Sequence, residues 1–384
     1  MKSEELSRNI NSEQMKAALN NMSEWLAHPA ELGKAPSKIE CAGTFEEDNM
    51  TYYIFRYKKG MFGKWLIGVC GGYEGDELEN CGHTFSEMEE YNEADAVSQA
   101  KALVETVREY WKNRAEEADQ KKENPGTFVH CILLPEVNWD KQALLSELKE
   151  KWSIEDEFDE SEIEEAENKA DDDTIVIKWH GAMIAISLMR GPVPYEEIED
   201  YAARNYLWKE GTKEIRKHKV HILAAVIGGD GDMEPEEAGE LIVKIDYSCF
   251  KLFGGIGVYT GDVVYEREYY MKLAETFLKD DMFPLYNLVW FGLYRGDAIG
   301  KSGVCGYTGG MRNFGYDEIE VIGSNASPKE LQEFLADIAG YVIEEKVVLN
   351  DGETIGFSEE QKLPITKSAG VAVQGSTLKI EFQA

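Results

Sequence analysis

Cys70, Cys81 and His83 are the side chains in this sequence best suited to soft-metal chemistry, since zinc is held by cysteine and histidine in a tetrahedral set. Ten residues separate the two cysteines. Structural zinc sites pair their ligands about two to four residues apart, so a site here would need Cys41 brought across a sheet to complete it. The same trio could form a cysteine–histidine nucleophile pair, which requires an orienting acid that the flanking residues do not supply. Asp230 and Asp232, in Gly228-Gly229-Asp230-Gly231-Asp232, set two carboxylates on flexible backbone and could hold a hard cation such as calcium or magnesium. The loop lacks a third acidic position and a terminal bidentate glutamate, and acids at a helix start offset the dipole without any metal, which is the expected role. Gly296-Asp297-Ala298-Ile299-Gly300-Lys301-Ser302 ends like a phosphate loop but is one residue short. Gly303-Val304-Cys305-Gly306-Tyr307 follows it where a helix would have to begin, so a glycine-rich hairpin connection is expected. His130, His180 and His221 lie at or beside three strands, and register decides whether they share a face.

The elements that must position these side chains are clearest over residues 127–228. Phe128-Val129-His130-Cys131-Ile132-Leu133-Leu134 is a short apolar run, the mark of a largely buried strand, and Pro135 ends it. Leu144, Leu145, Leu148 and Trp152 then share one face at helical spacing, with Asn138 placed as N-cap. Apolar runs over 175–179 and 183–189 flank His180-Gly181, where glycine supplies the positive φ of a tight hairpin turn. A helix over 195–206 and a strand over 220–227 close the series. Strand, helix, strand, strand, helix, strand is the split β-α-β order of a ferredoxin-like unit, so the expected fold class is α+β.

A chain of 384 residues exceeds a single domain of ordinary size, and 43% hydrophobic residues suffice to bury cores. The expected division is an N-terminal α+β domain over 1–120, a linker over 121–126, and a C-terminal region over 127–384 carrying the ferredoxin-like core. In the first domain, a helix with Met15, Leu19, Met22, Trp25 and Leu26 precedes strands near 39–45, 51–57 and 64–70, and a helix over 94–111 ends it. After residue 227 come a helix with Ala238, Leu241, Ile242, Ile245, Cys249, Leu252 and Phe253 stopped by Gly254-Gly255, a helix over 267–279, a strand over 285–294, and a helix opened by Ser327-Pro328-Lys329-Glu330.

Seventy-three acids against forty bases give a formal charge of −33. Such a chain repels a phosphate backbone and an anionic bilayer, which excludes nucleic acid and membrane surface as expected partners. No apolar stretch approaches the ~20 residues of a spanning helix, and the expected compartment is the cytoplasm, where six scattered cysteines stay reduced. No motif calls for a cofactor. The charge peaks over residues 155–173, with twelve acids and one lysine, and reads as a solvated insertion. Phe158 and Ile163 within it offer apolar anchors for docking on a basic partner. Arg204, Tyr206 and Trp208, with Asn205, form a second candidate patch, because Arg, Tyr and Trp dominate interface hot spots; packing of the aromatics beside an exposed arginine accounts for them equally well.

Several segments, in order, resemble an uncharacterised bacterial family, domain of unknown function 4261, over about residues 126–384. They are Gly191-Pro192-Val193-Pro194-Tyr195-Glu196-Glu197 with Ala202-Ala203-Arg204-Asn205-Tyr206-Leu207-Trp208, then His221-Ile222-Leu223-Ala224-Ala225-Val226, Met311-Arg312-Asn313-Phe314-Gly315-Tyr316-Asp317-Glu318-Ile319-Glu320 and Asp351-Gly352-Glu353-Thr354-Ile355-Gly356. The resemblance implies a bacterial source and a fold, and no catalytic residues. Charge excess without a catalytic constellation leads to the expectation of a non-catalytic, acidic, intracellular protein that binds a basic protein, with immunity-type inhibition of a toxin as its form by analogy. The alternative is a metal-binding protein or enzyme using Cys70, Cys81, His83 or the histidines.

Overall fold

The computed structural model describes residues 12–28, 31–60, 63–78, 82–157, 173–228, 233–356 and 361–383. The fold class is α+β, and the chain divides into two compact units, Met1–Ala115 and Glu116–Ala384.

In the first unit, β1 (Lys38–Glu47), β2 (Met50–Lys58), β3 (Leu66–Glu74) and β4 (His83–Phe85) form an antiparallel sheet in chain order. Strand alternation sorts β2 onto two faces. Tyr53, Phe55 and Tyr57 pack with Ala18, Met22 and Leu26 of helix α1 (Ser12–Ala27), whereas Tyr52 and Ile54 pack with Val97, Ala100, Leu103 and Val104 of α2 (Ala96–Glu123). One sheet therefore separates two small cores.

The second unit holds two six-stranded sheets. One contains β5 (Thr127–Leu134), β6 (Thr174–Trp179), β7 (Ala182–Met189), β8 (Val220–Ile227), β9 (Gly257–Tyr259) and β10 (Val264–Glu266), in the order β10-β9-β5-β8-β7-β6. The elements expected over 127–228 are present, but the ferredoxin-like arrangement is not. A split β-α-β unit would place its first strand between the third and fourth; here β8 runs antiparallel along the whole of β5, from Thr127 opposite Ile227 to Leu134 opposite Val220. The other edge of β5 pairs with β9. The β6–β7 hairpin is as expected, with His180 at φ 45° and Gly181 at φ 79° in the two-residue turn.

Helix α3 (Lys141–Trp152) buries Leu144 and Leu148. Its cap is Asp140, whose carboxylate accepts from Ala143 N at 3.0 Å, while the expected cap, Asn138, donates to Phe253 O instead. Helix α4 (Tyr195–Ala203) covers part of the outer sheet face. Helix α5 (Pro235–Phe253) is buried on nearly every side, Val243 and Phe250 included, so it is the central helix of this unit rather than an amphipathic surface one.

The second sheet comprises β11 (Trp290–Arg295), β12 (Val304–Gly309), β13 (Ile319–Ser324), β14 (Thr354–Ile355), β15 (Leu363–Ala369) and β16 (Ser376–Ile380), in the order β11-β12-β13-β16-β15-β14. Helix α6 (Arg267–Lys279) precedes it, and the expected helix α7 (Pro328–Glu344), opened by a Ser327–Glu330 capping box, connects β13 to the second half. The strand expected over 285–294 is shorter: Leu285–Leu288 form one helical turn, closed by Val289 N on Leu285 O at 2.7 Å, before β11 starts.

Candidate functional site

Two of the soft-ligand trio, Cys70 and His83, do not converge. Cys81 lies outside the described residues, as do Asp230, Asp232, Phe158 and Ile163. Cys70 opposes Thr84 and His83 opposes Gly71, so pleating points the two side chains to opposite faces. Cys70 belongs to the core under α1 and accepts from Thr84 Oγ1 at 3.2 Å. His83 stands edge-on to Tyr52 on the other face, its pKa lowered by desolvation and by the nearby Arg108. Among the described residues, no group of three His, Cys, Asp or Glu is placed to hold a metal ion.

His130, His180 and His221 also go three ways. His130 faces α5, where its Nδ1 lies 2.7 Å from Asp246 Oδ2, which also accepts from Tyr270 OH at 2.7 Å. His221, on the opposite face, meets Gly191 O, and His180 stacks on Trp179 at the hairpin turn. Residues 296–302 join β11 to its antiparallel neighbour β12, with Gly296 N bonded to Gly303 O at 2.9 Å, which is the expected hairpin connection. Cys131 is buried enough to push its thiol up to about 11, far from a reactive thiolate.

The carboxylates that look most like chemistry are structural. Glu318, just before β13, and Glu320, on it, turn into the protein. Glu318 accepts from Thr308 Oγ1 at 2.7 Å, Gly310 N at 2.9 Å and Arg312 N at 3.3 Å. Glu320 accepts from Val371 N at 3.0 Å, Ala372 N at 2.7 Å and Thr377 Oγ1 at 2.8 Å, and pairs with Lys379 at 3.0 Å. The Arg312 guanidinium donates to Gln374 O and Ser376 O. Together they clamp the β15–β16 hairpin onto β12 and β13.

Arg204, Tyr206 and Trp208 are adjacent in sequence but not joined in one patch. Arg204 is exposed over the Tyr201 ring, and Tyr206 turns to Trp290 and donates to Phe291 O. Trp208 is buried, its ring against the backbone of Gly257. Asn205, at the pivot, accepts from Leu207 N and donates to Val264 O, tying this turn to β10. Beside Trp208 opens a groove of about 670 Å³, whose wall includes Leu207, Ile256, Glu266, Arg267 and Glu268.

A second feature escaped the sequence reading. On the outer face of the first six-stranded sheet, register aligns Lys178, Met183, Ile227 and Thr127 in one row and Val176, Ala185, Ala225 and Val129 in the next. Met183 is 38% exposed, Ile227 48% and Val129 48%. Two alanines at the middle of the second row leave the face hollow there. Glu157, bonded to His180 N at 2.8 Å, stands at one corner, and the charge of Glu197 reaches Cys131 and His221 near another. The apolar runs of β5, β7 and β8 were visible, but which of their residues turn outward together depends on which strands pair.

These features describe an α+β protein with an open apolar sheet face and an acidic groove. Residues 307–381 match a protein-family model described as Domain of unknown function (DUF4261). That match contains the 311–320 and 351–356 segments of the resemblance, while the segments at 191–208 and 221–226 lie outside it. No curated protein and no solved structure matches the chain. No described helix is long and apolar enough to cross a membrane.

Proposed function

We propose that this chain is a non-catalytic, acidic, cytoplasmic protein that binds a basic protein, and that it does so on the outer face of β5, β8, β7 and β6. One observation carries this reading: Met183 and Ile227 are exposed directly opposite each other on β7 and β8, and Val129 is exposed on the next strand, β5, whereas isolated surface hydrophobics are ordinary. Acids at its corners and a chain charge of −33 disfavour a second copy of the same chain and favour a partner of opposite sign. An immunity-type inhibitor of a toxin is the particular form that this chemistry suits. The alternative, a metal-binding protein or enzyme using Cys or His side chains, is disfavoured for Cys70 with His83, which the sheet separates.

The test is affinity capture from the native cells at low salt, using the wild-type chain and a Met183→Asp/Ile227→Asp variant. A basic protein held near equal amounts by the wild type, released by high salt and absent from the variant is the expected result. Equal capture by both forms would place the binding surface elsewhere, and affinity indifferent to salt would remove the charge argument.

A further inference from the structure

Resting on the reading of a basic partner, and going beyond it to a second site, we infer that the groove beside Trp208 holds a short basic segment carrying an apolar neighbour. The groove has the volume of a ligand pocket, within the range of roughly 300–1,000 Å³. Its walls are fixed before anything binds: Ile256 N bonds to Leu133 O at 2.8 Å, Arg267 N to Ile256 O at 3.2 Å, and Asn205 holds the Leu207 turn against β10. A preformed wall lowers the ordering cost of binding. Trp208 and Ile256 give it an apolar side, and Leu207, 45% exposed, stands at the opening.

Charge selects the occupant. Four carboxylates line the groove, Glu210, Glu214, Glu266 and Glu268, against Lys209 and Arg267. Glu210 and Glu214 are paired with Lys213 and Lys217. Glu266 and Glu268 form no ion pair among the described residues, and the Glu266 carboxylate makes no capping bond to the amides of α6, the helix that it opens. Arg267 turns away from them to donate to Phe250 O at the C-terminal end of α5. Two unpaired carboxylates above an apolar wall suit a lysine or arginine next to a leucine-like side chain.

The probe is a short fluorescently labelled peptide of alternating lysine and leucine, titrated by anisotropy against the full chain at low salt, with a glutamate–leucine peptide as counterpart. Glu266→Gln/Glu268→Gln should weaken the lysine peptide by about tenfold, from loss of two charges on the wall, Glu266 half-buried and Glu268 exposed. Asp280→Asn/Asp281→Asn, which removes the same charge at the far end of α6, should leave it within about twofold if only long-range attraction is lost. Leu207→Ser should also weaken it. Equal losses in the two charge variants would reduce the effect to bulk attraction and overturn the site. Absence of binding, or equal binding of the glutamate peptide, would overturn it as well. If Met183→Asp weakened the peptide and Glu266→Gln/Glu268→Gln did not, the groove would fail while the sheet-face reading stood. If the groove bound the peptide but no basic protein was captured from cells, that reading would fail while the groove stood.

Discussion

The two sheets of the second unit use their side chains in opposite ways. At the start of β13, Glu318 and Glu320 turn inward and hold backbone amides and hydroxyls of neighbouring elements, so these polar groups are consumed in the sheet's own architecture. On β5, β7 and β8, Val129, Met183 and Ile227 turn outward and contact little. The segment that matches the family model, 307–381, contains the first pattern and none of the second. The clamp of the β15–β16 hairpin therefore lies inside the matched segment, and the outer face of the other sheet lies outside it.

The strongest way to break this comparison is Glu320→Ala. The side chain is fully buried, and its removal would strand Lys379, Thr377 and the amides of Val371 and Ala372 without their acceptor. Loss of one partner from a buried ion pair costs about 3–5 kcal/mol, which should appear as a large downward shift in the denaturant midpoint of the second unit. A shift below about 1 kcal/mol would mean that the clamp is dispensable. Gly310→Ala comes next. The residue sits at φ 116°, and a Cβ there would collide with Leu288 O. About 2 kcal/mol or more of destabilisation is expected from this strain.

Met183→Asp attacks the other half of the comparison. With the side chain already partly exposed, stability should change by no more than about 1 kcal/mol while capture of the partner is lost. A folded variant with normal capture would show the apolar face to be incidental.

The contrast also marks where sequence reasoning reached. Apolar runs located β5, β7 and β8, and Gly181 marked the hairpin turn, because these signals are local. The partner of β5 is not local. Pairing with β8 on one side and β9 on the other is decided by packing against α5, whose burial on nearly every side its seven expected apolar positions only partly foretold. The same limit governed the sites. Trp208 stood out by type, but the carboxylates opposite it, Glu266 and Glu268, arrive from a later element tied in by the Asn205–Val264 bond. Cys70 and His83 looked close in the chain, and only the register that sets His83 opposite Gly71 puts a sheet between them. Glu318 and Glu320 were visible as a motif, yet their partners at 308–312 and 371–379 become neighbours only in the folded sheet.

The smallest expected effect separates the two carboxylates of the clamp. Burial, with the charge of Asp262 second, raises the Glu318 pKa from the ordinary 4.5, while Arg312 opposes the rise. A folded-state value above the unfolded one means that the native state binds more protons in that interval. The stabilising contribution is therefore complete below about 4.5 and is lost as pH climbs through the raised value. Glu318→Gln keeps an acceptor for Gly310 N and removes the titration. Subtracting its stability-versus-pH curve from that of the wild type should leave a decline with rising pH that begins near the ordinary carboxylate value and levels off above the raised one. A difference that grew with pH would mean that the three hydrogen bonds received by Glu318 outweigh its desolvation.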